Sequence, residues 1–179
     1  MNFIITEFAG MIVIEPRVLT DARGIFMETF HRDKFVEVGL PAEFPQDNHS
    51  YSVAKVLRGL HYQIEHSQGK LVRAIRGEVY DVAVDLRRSS AMFGKWFGIV
   101  LSAENKKQIY IPPGFAHGFC VLSDDAEVVY KCTDVYYPQH ERTIAWNDPE
   151  IGIDWPIDDP VVNAKDQAGV SLSDADLFA

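Results

Sequence analysis

Apolar and polar residues alternate with a period of two along much of this chain. Residues 79–86 read Val-Tyr-Asp-Val-Ala-Val-Asp-Leu. As a strand, this places Tyr80, Val82, Val84 and Leu86 on one apolar face and Val79, Asp81, Ala83 and Asp85 on the other. Similar short runs cover 11–14, 53–57, 70–75, 96–101, 107–111, 117–122 and 126–133, and the segments from Gly24 to Glu28 and from Arg58 to Gln63 read as further strands. Turn signals such as Asp21-Ala22-Arg23-Gly24, Arg76-Gly77-Glu78 and Pro112-Pro113-Gly114 separate them. Helical character is confined to 32–38 and to the tail from about 173. Many short strands at close spacing predict an all-β sandwich or barrel, not a doubly wound parallel sheet. No Gly-x-Gly-x-x-Gly follows a strand, which argues against a Rossmann dinucleotide site.

Length and composition narrow the picture without changing it. The 179 residues suit a single domain, here taken as 1–179, with 47% hydrophobic and 24% charged residues. No run of about 18 apolar residues is present, so no membrane span is expected. The start, Met-Asn-Phe-Ile-Ile-Thr-Glu-Phe, has no basic segment followed by a long apolar one. With only Cys120 and Cys132, too few for a disulfide framework and without metal-site spacing, this predicts a cytoplasmic protein with reduced thiols. The net charge of −9 opposes nonspecific nucleic-acid binding. It leaves room for a small anionic ligand, because a pocket can be locally positive on an acidic protein.

Two segments carry candidate chemistry. In Arg58-Gly59-Leu60-His61-Tyr62-Gln63, His61 and Gln63 lie two apart and share a face, with Arg58, Leu60 and Tyr62 on the other unless a bulge at Gly59 re-aims them. Facing a cavity, His61 can act as a general base near neutrality; otherwise it is a hydrogen-bonded structural histidine. The second segment, Ile111 to Phe119, contains Pro-x-Gly-x-x-His, in which the prolines and glycine turn the chain so that His117 enters the next strand facing inward. This resembles the second motif of the cupin superfamily, a jelly-roll barrel (the double-stranded β-helix), and implies that fold with a few short peripheral helices. Metal-binding cupins carry His-x-His in the first motif, where this chain has His61-Tyr62-Gln63. An amide is a poor substitute for imidazole at a transition metal, so no metal is expected.

Other residues are ambiguous by themselves. Lys70 starts a strand and reads as a solvated lysine; Arg23 suits a phosphate ligand or a loop cap equally; Tyr130 reads as a buried aromatic; Asp166 has no distinguishing local context.

Taken together, the blocks Asp21–Gly24, Gln46–Ser50, Val56–Gln63, Gln68–Arg73, Leu101–Asn105, Ile111–Phe119, Tyr130-Lys131 and Trp146–Pro149 resemble the dTDP-4-dehydrorhamnose 3,5-epimerase family, in family order. The resemblance implies cofactor-free epimerisation of a dTDP-4-keto-6-deoxyhexose at C3 and C5 by a homodimer whose subunits exchange strands near the N-terminus. It implies that His61 is the base and Asp166 its carboxylate partner, that Lys70 is the cation beside the C4 oxygen, and that Tyr130 is the phenol on the opposite face. Arg23, Glu28, Gln46, Asn48, Arg58, His117 and Glu141 match positions that contact the sugar nucleotide. Two departures stand out: Val162-Asn163-Ala164-Lys165-Asp166 replaces Leu-Ser-x-Lys-Asp, and the aromatic pair is shifted to Val135-Tyr136-Tyr137. Rival readings are a mono-epimerase of a related sugar, a metal-dependent cupin enzyme and a catalytically silent sugar-nucleotide binder.

Overall fold

A computed structural model describes residues 1–179. Its strands are β1 (Asn2–Ile5), β2 (Ile12–Glu15), β3 (Val18–Asp21), β4 (Gly24–Met27), β5 (Gln46–Val53), β6 (Leu57–Gln63), β7 (Lys70–Arg76), β8 (Glu78–Asp85), β9 (Trp96–Ser102), β10 (Gln108–Ile111), β11 (Phe115–Val121), β12 (Asp125–Cys132) and β13 (Glu141–Thr143). The α-helices are short: α1 (Arg32–Glu37) and α2 (Ala164–Gln167). A six-stranded sheet, β1-β2-β10-β7-β12-β5, faces a five-stranded one, β13-β6-β11-β8-β9; β3 and β4 form a separate hairpin. The strand pairs within the sheets are antiparallel, giving the expected jelly roll.

Alternation on β8 explains how three layers stay together. Val79 and Ala83 join the core between the sheets with Phe8, Leu101, Phe115 and Val128. Val82, Val84 and Leu86 face the other way, under Ile144, Ile151 and Leu172 from the C-terminal segment, with Tyr80 packed against them. The expected apolar face is therefore covered by the protein's own tail. A third cluster packs Phe35 of α1 and Leu40 onto Ile12, Ile14 and Leu71, on the outside of the six-stranded sheet.

Three expectations require correction. The run 53–57 is not a strand: β5 ends at Val53, and a turn containing Lys55 at φ 62° leads into β6. Its apolar content reflects Val53 ending one strand and Leu57 starting the next. The tail is not helical beyond a single 3-10 turn, Leu172–Asp174. It remains extended because Phe178 N–H donates to Leu86 O and its carbonyl accepts from Arg88 N–H. The helix instead forms at α2, where the Asn163 side chain caps it by accepting from Asp166 N–H at 2.7 Å. Third, Lys70 is not solvated: it is buried at 8% exposure.

The irregularity anticipated at Gly59 is real. Gly59 has φ +132°, and the β6–β11 register shifts between the pairs His117↔His61 and Phe119↔Arg58. Leu60 and Tyr62 stay in the tail-covered cluster, while Arg58 and His61 both line the interior cavity. A Cβ at Gly59 would sit 2.6 Å from Gly118 Cα. Gly59→Ala combines this overlap with an unfavourable φ and is expected to destabilise the fold by about 2–5 kcal/mol. Urea unfolding would measure it; a loss below about 1 kcal/mol would contradict the reading.

Candidate active site

A cavity of about 350 Å³ occupies the polar end of the space between the sheets. The six-stranded sheet contributes Gln46, Asn48 and Ser50 from β5, Lys70 from β7 and Tyr130 from β12. The five-stranded sheet contributes Arg58, His61 and Gln63 from β6 and His117 from β11, with Glu141 of β13 beside them. The loops add Gln68, Tyr136, Asn163 and α2's Asp166. Alternation along β5 sends Gln46, Asn48 and Ser50 inward, so this strand is polar on the face that would normally be apolar.

His61 and Asp166, 105 residues apart, meet here: His61 Nε2 lies 2.8 Å from Asp166 Oδ1. Gly59 N–H donates to Asp166 Oδ2 at 3.0 Å, so both carboxylate oxygens are engaged. Burial alone would raise the Asp166 carboxyl, but these two bonds outweigh it and hold the group below the ordinary carboxylate range. The stability this contributes is present above that range and is lost as pH falls through the lowered value. With Asp166 ionised, His61 carries its proton on Nε2, and Nδ1 is left as an acceptor. The capping residue Asn163 takes the place of serine in the departed tail motif, and either residue type caps well. Lys165 Nζ bonds Glu141 Oε1 at 2.6 Å and ties α2 to β13.

The Lys70 ammonium makes no hydrogen bond or ion pair within the chain, although the residue is buried and lines the cavity. Burial lowers its ammonium, opposed by Cys132, Asp81 and Glu141. A buried cation without a bonded partner is a ready site for an oxyanion. Tyr130 stands on the same sheet, opposite the one that bears His61. Burial pushes its phenol up, so it is protonated near neutrality. Arg58 spans to β5, with Nε donating to Ser52 Oγ at 3.0 Å and Nη2 to Tyr51 O at 3.3 Å. His117 Nε2 lies 2.8 Å from Asp81 Oδ2.

The Gln63 amide, standing where a metal-binding cupin has imidazole, is committed to the backbone. Nε2 donates to His66 O at 2.7 Å and Val135 O at 3.3 Å, and Oε1 accepts from Tyr137 N–H at 2.7 Å. Gln63 thus fastens the loops that bring Tyr136 to the cavity, and its donor set does not fit a metal ligand.

Of the residues singled out in the sequence, His61, Lys70, Tyr130, Asp166, Gln46, Asn48, Arg58, His117 and Glu141 all meet at this cavity. Arg23 and Glu28 do not, within one chain. Arg23 pairs with Asp21 at 2.5 Å on the exposed β3–β4 hairpin, and Glu28 pairs with Lys34 at 2.6 Å. The sequence reading did not single out Gln68, Asp81 or Tyr136 as site residues. Tyr136 is the ring of the shifted aromatic pair that reaches the cavity, where its hydroxyl donates to Glu141 Oε2 at 2.5 Å; that bond pushes the phenol up to about 12. Tyr137 instead stacks on His66 with ring centroids 4.3 Å apart.

Comparison with known proteins shows the family. Residues 5–174 match the family model described as dTDP-4-dehydrorhamnose 3,5-epimerase. The dTDP-4-dehydrorhamnose 3,5-epimerase of Pseudomonas aeruginosa is 59% identical, over 94% of each chain. A dTDP-6-deoxy-D-glucose-3,5-epimerase from Legionella pneumophila, solved in complex with dTDP-4-keto-L-rhamnose, superposes with a TM-score of 0.95 at 48% identity, covering 99% of this chain and 97% of that one. A dTDP-4-dehydrorhamnose 3-epimerase from Streptomyces niveus is more distant, at 38% identity over 93% of this chain and 81% of its own. Fold and sequence agree: the chain belongs to the dTDP-4-dehydrorhamnose 3,5-epimerase family.

Proposed function

We propose that this chain epimerises a dTDP-4-keto-6-deoxyhexose at C3 and C5, using its own side chains alone. One observation carries the reading: the His61–Asp166 pair stands on one sheet, with Lys70 and Tyr130 on the sheet facing it. Both target carbons flank the C4 ketone, so their C–H bonds are acidified by the same carbonyl. His61 Nδ1 takes the proton from carbon, the C–H electrons form the enolate double bond, and the C4 oxygen becomes an oxyanion beside Lys70. Tyr130 delivers its hydroxyl proton to the opposite face of that carbon, leaving a tyrosinate. Proton exchange with solvent then resets the phenol and the imidazole.

Inversion at two carbons is favoured over one by the grading of the relatives, since the double epimerase is 59% identical and the single epimerase 38%. Borohydride reduction of the product, followed by sugar analysis, tests the assignment. The 6-deoxy-L-hexoses are expected; a D-configured pair would contradict inversion at C5. Tyr130→Phe separates abstraction from inversion. It should reduce net epimerisation by about 10²- to 10³-fold while still allowing His61 to exchange the substrate proton with solvent. Equal loss of exchange and inversion would contradict the role given to Tyr130.

The active form in this reading is a homodimer. The β3–β4 hairpin is exposed along its whole length except Met27, including apolar Leu19, Ile25 and Phe26 (71% exposed), and carries Arg23 at its turn. Docking it on a second copy would cover this surface and bring Arg23 and Glu28 to the partner's cavity, where the Arg23 guanidinium would suit the diphosphate. Sedimentation at twice the mass of one chain is expected; a monomer that remains active would contradict it. A cytoplasmic location fits a nucleotide-activated substrate and two buried, unpaired cysteines. No helix is long and apolar enough to cross a membrane.

A further inference from the structure

A second histidine–carboxylate pair, with His117 lining the cavity and Asp81 behind it, takes no part in the proton transfers described above. Asp81 on β8 is 1% exposed; its Oδ2 lies 2.8 Å from His117 Nε2, and its Oδ1 is fully buried without a hydrogen-bond partner. This contrasts with Asp166, whose two oxygens are bonded to His61 and to Gly59 N–H. An unshared carboxylate oxygen in a buried setting costs stability, and an apolar pair of the same shape would avoid that cost. The feature therefore calls for an electrostatic reason.

Two neighbours supply one. His117 lines the cavity and makes no other hydrogen bond within the chain, so with Nε2 held by Asp81 its Nδ1 is the ring atom left for a ligand. Lys70 projects from the facing sheet without a bonded partner. We propose that Asp81 is a positioning residue for the epimerase reaction, acting through His117, whose Nδ1 it turns toward the ligand.

The groups that face Lys70 set the electrostatic side of this role. Cys132 on neighbouring β12, Asp81 on β8 and Glu141 on β13 all raise its ammonium against the lowering by burial. His61, Arg58, His117 and Tyr130 line the same cavity. Glu141 is already engaged by Lys165 and Tyr136, whereas Asp81 has only His117. Neutralising Asp81 therefore removes the less compensated of two supporting carboxylates.

This inference rests on the epimerase reading, and Asp81→Asn tests it separately. With dTDP-4-keto-6-deoxyglucose as substrate, kcat is expected to fall by about 10- to 100-fold, by analogy with the loss of a carboxylate that orients a metal-ligating histidine. KM and the affinity for dTDP should stay within about threefold. The alkaline limb of the kcat–pH profile should move to lower pH, because Lys70 loses its proton sooner once the carboxylate charge is gone. The variant should be at least as heat-stable as the parent. Unchanged kcat and an unmoved limb would overturn the proposal, as would a rate loss accompanied by lower melting temperature and an unmoved limb. If the parent itself failed to turn over this substrate, the epimerase reading would fall, and the proposal with it. A variant-free measurement covers the case in which Asp81→Asn does not fold. Histidine-selective 15N NMR of the parent should find His117 protonated at Nε2, and protonation at Nδ1 alone would overturn the assignment.

Discussion

Replacing His61 with alanine is expected to reduce exchange of the substrate's C3 and C5 protons with solvent by about 10³- to 10⁴-fold, the upper part of what a positioned base contributes. The expectation follows from the bonding around the imidazole. Asp166 holds Nε2 at 2.8 Å and is itself held by Gly59 N–H, so the ring has one orientation and one nitrogen available. On its own strand no other side chain is similarly arranged as an acceptor: the Arg58 guanidinium only donates, and the Gln63 amide is tied to backbone groups. Affinity for dTDP should change by no more than about threefold, because dTDP lacks the sugar carbons on which His61 is proposed to act. Titration calorimetry with dTDP, paired with NMR of the exchange, would measure both. Exchange surviving within a few-fold would mean that another group is the base.

The second large effect is expected at Lys70. Lys70→Met keeps the volume of the aliphatic stem and removes the charge, so kcat should fall by about 10²- to 10³-fold, or about 2.7–4 kcal/mol of enolate stabilisation. The same change relieves a buried cation that has no bonded partner, so the melting temperature should hold or rise. A pH profile gives an independent check. Burial lowers the Lys70 ammonium below its usual value of about 10.4, and the reaction needs the charged form. Activity of the parent should accordingly decline on the alkaline side below that value, and Lys70→Met should lack this decline. A variant with near-parental kcat would remove Lys70 from the mechanism.

These two residues also show what was legible in the chain. His61 was legible only as a candidate: Arg58-Gly59-Leu60-His61-Tyr62-Gln63 has strand periodicity, a glycine that breaks it and a titratable group at a defined phase, but that pattern fits a structural histidine as well. The jelly roll was legible because β7 to β12 are short apolar-rich runs separated by strong turn residues. Lys70 was not legible locally, since a lysine at the start of a strand normally reaches solvent. Its burial depends on the facing sheet. β5 escaped the hydrophobic pattern because a cavity replaces the core on its inner face, leaving Gln46, Asn48 and Ser50 where apolar residues would otherwise stand. Asp166 depends on a contact spanning 105 residues, which no local pattern encodes. Only the ordered set of resembling blocks connected these residues. Arg23 and Glu28 stay outside the cavity of a single chain, where each is paired with a neighbouring side chain.

The central claim is proton abstraction on both sides of the C4 ketone, with return to the opposite face. Incubating dTDP-4-keto-6-deoxyglucose with the protein in heavy water, and following C3 and C5 by NMR, tests it most directly. The account predicts deuterium at both carbons. Deuterium at one carbon alone would make the chain a mono-epimerase, and deuterium at neither would contradict the account.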